Sequence, residues 1–118
     1  MGIVAEWFQR AVAAAEAGDR DFTVTLESRQ DPNRWIQLRG DAINVAFPLD
    51  TEPTAELARR GFTFSEYVEL SAWEAGKFAT FEHAAEPFAE LVAFVERYSR
   101  EVLEVEPNES AFTISTEA

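Results

Sequence analysis

Apolar side chains recur at three- and four-residue intervals near the start of the chain, at Val4, Trp7, Phe8, Ala11, Ala14 and Ala15, while Glu6, Arg10 and Glu16 fall elsewhere. That spacing predicts an amphipathic helix over residues 3–17, with Gly18 as its stop and with Trp7 and Phe8 as core anchors. The period then shortens to two. Phe22, Val24 and Leu26 alternate with Thr23, Thr25 and Glu27, and Asp31-Pro32-Asn33 marks a turn before a second strand from Trp35 to Arg39. A two-residue turn at Gly40-Asp41 pairs Arg39 with Ala42, Leu38 with Ile43, Gln37 with Asn44, Ile36 with Val45 and Trp35 with Ala46. In this register Ile36, Leu38, Ile43 and Val45 share one face while Gln37, Arg39 and Asn44 share the other, as a half-buried sheet requires. A five-residue loop over 30–34 sets Leu26 beside Leu38.

Asp50-Thr51-Glu52-Pro53 is a helix start, and Arg59, Arg60 and Gly61 its end, where the two arginines complement the negative end of the helix dipole. Residues 66–83 fit two templates. One is a helix capped by Ser65 and running through Val68, Ala72 and Ala75 to Gly76. The other, preferred here, is a hairpin turning at Ala75-Gly76, which opposes Trp73 to Phe78, Ala72 to Ala79, Ser71 to Thr80, Leu70 to Phe81 and Glu69 to Glu82. It places Val68, Leu70, Ala72, Ala79 and Phe81 on one face, and Tyr67, Glu69, Ser71, Trp73, Phe78, Thr80 and Glu82 on the other. Pro87 opens a closing helix whose stripe of Phe88, Leu91, Val92, Val95, Tyr98 and Val102 continues to Val105, and Pro107 ends it. Phe112 and Ile114 then alternate with Thr113 and Ser115, as in a short edge strand or a tail that orders on contact.

No repeat or linker divides the chain, so residues 1–118 form one domain, with a core over 1–105 and a tail or edge strand over 106–118. The predicted class is α+β: an antiparallel sheet of about five strands with helices packed on one face, in the order α-β-β-β-α-β-β-α. Over residues 3–105 this order resembles the type III secretion chaperone-like fold, which also includes the YbjN-like bacterial proteins. The resemblance is one of architecture, and no sequence motif transfers a functional residue. It implies a small, acidic, bacterial, cytoplasmic homodimer that holds an extended segment of another protein.

Charge sharpens the picture of a partner. The chain carries −12 overall, and residues beyond Phe62, with twelve acidic and three basic side chains, account for −9 of it. Such a surface repels phosphate backbones and anionic membranes and steers basic proteins, so nucleic acid and membrane are excluded as partners. No run of apolar residues approaches a membrane span, and residues 1–6 lack the basic region and apolar run of a leader, so a cytoplasmic location is expected. Ten Phe, three Trp and two Tyr supply ample core for 118 residues, and the absence of Cys removes disulfides and thiolate chemistry.

Motifs for chemistry are sparse. The single histidine, His83, lies next to Glu82 and Glu86, which offer to hold it protonated, although a lone histidine at an element junction is more often structural. No His pair, calcium loop, phosphate loop or nucleophile elbow is present, so no metal, cofactor or catalytic residue is assigned and a non-enzymatic protein is expected. The outer sheet face is the candidate site. Trp35, Arg39, Tyr67, Glu69, Trp73, Phe78 and Glu82 are assigned there as partner-binding residues, since exposed aromatics and arginine dominate interface energies. Glu69 facing Glu82 invites a basic partner group, because like charges directly opposite weaken a sheet unless something offsets them. Two other functions remain open: an acidic immunity protein or antagonist against a basic toxin or nuclease, and a small-ligand or enzymatic domain using the groove between sheet and helices.

Overall fold

A computed structural model describes residues 2–62, 68–84 and 87–117. The elements follow in the order α1 (Ile3–Glu16), β1 (Thr23–Ser28), β2 (Trp35–Leu38), β3 (Ala42–Ala46), α2 (Pro53–Arg59), β4 (Val68–Glu74), β5 (Phe78–His83), α3 (Phe88–Tyr98) and β6 (Phe112–Glu117). The class and the element order are those expected. The sheet holds six strands rather than five, antiparallel throughout and ordered β4-β5-β3-β2-β1-β6. The C-terminal segment accounts for the sixth: β6 pairs along all six of its residues with β1, from Thr23 opposite Glu117 to Ser28 opposite Phe112.

Alternation drives the layering. Val24 and Leu26, Ile36 and Leu38, Ile43 and Val45, and Ala79 and Phe81 are all buried on one face, where α1 and α3 pack against each other and over the sheet. Phe94 of α3 meets Phe62, Phe81 and Tyr98 at ring-centroid distances of 5.8, 5.4 and 6.4 Å, and the Tyr98 hydroxyl donates to the Ala46 carbonyl at 2.7 Å. Burial pushes the Tyr98 phenol well above its ordinary value, so this donor is permanent.

The β2–β3 register is as expected, with Ile36 opposite Val45, Gln37 opposite Asn44 and Leu38 opposite Ile43. Between β1 and β2 it differs. Leu26 stands opposite Ile36, and Val24 rather than Leu26 faces Leu38, because Ser28 closes onto Arg34 and the five-residue loop runs over 29–33 instead of 30–34. A shift of two keeps every side chain on its face.

The helix that opens at Phe88 also departs from its expected form. Regular α geometry stops at Tyr98 and a π-helical turn follows over Ser99–Leu103, closed by Glu104 in the left-handed region at φ 59°. The wider turn buries Val102 and Leu103 together, and the Val105 amide returns to the Ser99 carbonyl at 2.9 Å, so Val105 lies beyond the helix.

Candidate functional site

Three rows of side chains cross the outer face of the sheet. The middle row is a hydrogen-bonded ladder: Thr80 Oγ1 donates to Asn44 Oδ1 at 2.9 Å, Asn44 Nδ2 to Gln37 Oε1 at 2.9 Å, and Gln37 Nε2 to Thr25 Oγ1 at 3.4 Å. Four strands are thus tied on their solvent side. All four residues were expected on this face, but the ladder itself requires the β3–β5 pairing that sets Asn44 against Thr80.

On one side of the ladder lies the aromatic row. Phe78 stands opposite Ala46, and the β2–β3 register carries Trp35 to Ala46 from the other side, with Glu27 beyond it. Phe78 and Trp35 are both half-buried and leave Ala46 only 3% exposed.

On the other side lies the charged row. Glu69 faces Glu82 as expected, and both are exposed with no ion pair to any described residue. Arg39, across Ala42 from Glu82, donates through Nε to Thr23 Oγ1 at 3.0 Å and lies 3.7 Å from Asp21. Thr23, Gln37, Arg39, Ala42, Asn44, Thr80 and Glu117 line a shallow polar depression of about 360 Å³ between the charged row and the ladder.

Trp73 is not part of this face. Glu69 and Leu70 keep their expected partners, but Ser71 is an extra residue, and beyond it Ala72 faces Thr80, Trp73 faces Ala79 and Glu74 faces Phe78. The turn accordingly takes three residues, with Gly76 at φ 72°, instead of two. The bulge moves Trp73 to the helix side, edge-on to the buried Phe47 with ring centroids 6.3 Å apart, yet at the rim of the sheet it stays 38% exposed. Among the described residues it is the one exposed large apolar side chain. Tyr67, also assigned to the outer face, lies outside the described residues.

His83 belongs to the core. Its ring is edge-on to Phe8 at 5.3 Å, with Nδ1 3.1 Å from the Ala84 carbonyl and Nε2 3.3 Å from the Arg39 carbonyl, while its backbone amide bonds Asp41. This is the structural role expected of a lone histidine, and the alternative pairing with Glu82 does not form, because consecutive strand residues point to opposite faces. Glu86 lies outside the described residues. With both ring nitrogens against carbonyl oxygens, His83 pins the β2–β3 turn to β5.

The arginines ending α2 are structural, as expected, though their partner is a side chain as well as the dipole. Arg59 and Arg60 both bond the buried Glu56, Arg60 at 3.1 Å, and Thr51 donates to it at 2.9 Å. These contacts, Arg59 foremost, bring the Glu56 carboxyl down to a pKa of about 2. Glu52 caps the helix by accepting from the Thr54 and Ala55 amides. Farther along, Arg97 pairs with Glu101, and Arg100 with Glu106 at 3.4 Å.

Among the described residues no three metal-ligating side chains converge, and no helix is long and apolar enough to cross a membrane. No family model, curated protein or solved structure matches the chain.

Proposed function

We propose that this is a non-enzymatic protein-binding domain, cytoplasmic and self-associating, that holds a segment of a second protein at the β4 side of its sheet. The observation that carries the proposal is Trp73: a large ring at the rim of an edge strand, steadied by Phe47 but left exposed. A preformed aromatic anchor beside a strand edge that no described strand pairs suits an extended peptide that adds to the sheet and seats a side chain against the ring. Glu69 and Glu82 stand across the same hairpin and favour a basic segment. This is the mode of action that the secretion-chaperone resemblance implies.

The decisive experiment is capture by the tagged protein and by Trp73→Ala, with both thermal melts recorded. Loss of a stoichiometric partner with an unchanged melt supports the anchor. Equal retention by both proteins overturns it.

Glu69 and Glu82, which make no ion pair with any described residue, favour a second reading, an acidic antagonist of a basic toxin or nuclease. For that function Glu69→Gln with Glu82→Gln would slow association and flatten its dependence on salt, while Trp73→Ala would leave both unchanged.

A further inference from the structure

The two edges of the sheet are unlike. The β4 edge is broken by the Ser71 bulge and carries Glu69 and Glu74, devices that discourage strand addition without an adapted partner. The β6 edge has no bulge, and its one charged residue, Glu117, stands at its very end. Phe112–Glu117 is a regular six-residue strand with no Pro, Gly, Lys, Arg or bulge, and on its far side no described strand pairs with it.

Its backbone polarity follows from one bond. The Arg29 amide donates to the Ala111 carbonyl at 2.9 Å, so Ala111 directs its carbonyl toward β1, and by alternation Thr113, Ser115 and Glu117 do the same. The amides and carbonyls of Phe112, Ile114 and Thr116 therefore point outward. A two-fold axis normal to the sheet pairs residues of the same parity, and the register centred on Ile114 sets Ile114 against Ile114, Phe112 against Thr116 and Thr113 against Ser115. All the outward amides then find carbonyls. The half-buried Ile114 meets its own copy on the helix side.

The same register brings Glu117 of the second copy opposite Ala111, on the outer face. Arg29 is the direct neighbour of Ala111 on the other side, is exposed, and makes no ion pair with any described residue. Only the small Ala111 side chain separates the arginine from the incoming carboxylate, and symmetry makes the contact twice. We propose that β6 is the self-association surface of this protein, pairing antiparallel with β6 of a second copy into a continuous twelve-stranded sheet locked by reciprocal Arg29–Glu117 contacts. The proposal locates the self-association in the function put forward above and rests on it.

The test is sedimentation equilibrium of wild type, Arg29→Glu, Glu117→Arg and the double charge swap, with residue-resolved amide exchange at low and high protein concentration. Expected are a wild-type mass of twice the 13.3 kDa chain, self-association weakened about tenfold in each single variant, and recovery in the double variant. Amides of Phe112, Ile114 and Thr116 should gain protection with concentration, while Thr113 and Ser115 are protected throughout. Thr116→Pro, which removes an outward backbone N–H at a residue whose side chain is exposed, should give a folded monomer. A wild type that stays monomeric overturns the inference. So does a dimer that is indifferent to Arg29→Glu and Thr116→Pro but abolished by Trp73→Ala, an outcome that leaves partner binding at β4 standing.

Discussion

Glu56 shows how one side chain organises its surroundings. Two arginines and a threonine hydroxyl converge on a carboxylate that is itself 6% exposed, and its pKa falls from 4.5 to about 2. A carboxylate depressed in the folded state contributes stability in full above its unfolded value and loses it as pH falls through the folded one. Glu56→Gln is therefore expected to be less stable than wild type near neutrality, with the gap closing between pH 4.5 and about 2; denaturant unfolding across that range measures it. The sequence placed Arg59 and Arg60 correctly at a helix end but did not single out Glu56, because it reads as one more surface acid until the fold buries it. His83 is the mirror case, since its seat between two carbonyls depends on three strands and a turn.

Among the elements, the β2–β3 turn and α1 set one another's position. A Cβ on Gly40 would come within 2.3 Å of the Ala15 Cβ and 3.3 Å of the Ala11 carbonyl, so this glycine is required by the close approach of a helix. Gly40→Ala should cost about 1–3 kcal/mol by overpacking, and adding Ala15→Gly should recover part of it, as chemical denaturation of the single and double variants would show. Turn propensity alone marked Gly40 as a hairpin residue, and that was correct without revealing why it cannot be alanine. The β4–β5 hairpin teaches the complementary lesson. Its strands and the Glu69–Glu82 pair were legible in the alternation, but a single extra residue at Ser71 moved Trp73 from one face to the other.

At the scale of the whole molecule, a net charge of −12 on a 118-residue chain acts through self-repulsion that no individual ion pair removes. The ion pairs are mostly between exposed groups, such as Arg10 with Glu6 and Lys77 with Glu74, and are worth little each. Screening should therefore raise thermal stability: the melting temperature is expected to increase from low to moderate salt, and a flat or falling trend in scanning calorimetry would contradict this. The same balance separates the two faces of activity proposed for the domain, a basic partner at the β4 side and a second copy at the β6 edge.

Local pattern alone determined the first helix, the β2–β3 hairpin and the inward faces of β1, β2, β3 and β5, because a residue's preference for one face of a helix or strand is imposed by periodicities of 3.6 and 2 that neighbours in sequence display. Tertiary structure decided which strands became neighbours, the recruitment of β6, the bulge that reorients Trp73, the π turn after Tyr98 and the burial of Glu56. Each of these turns on contacts between segments distant along the chain, where a one-residue shift changes the outcome and leaves the local pattern untouched.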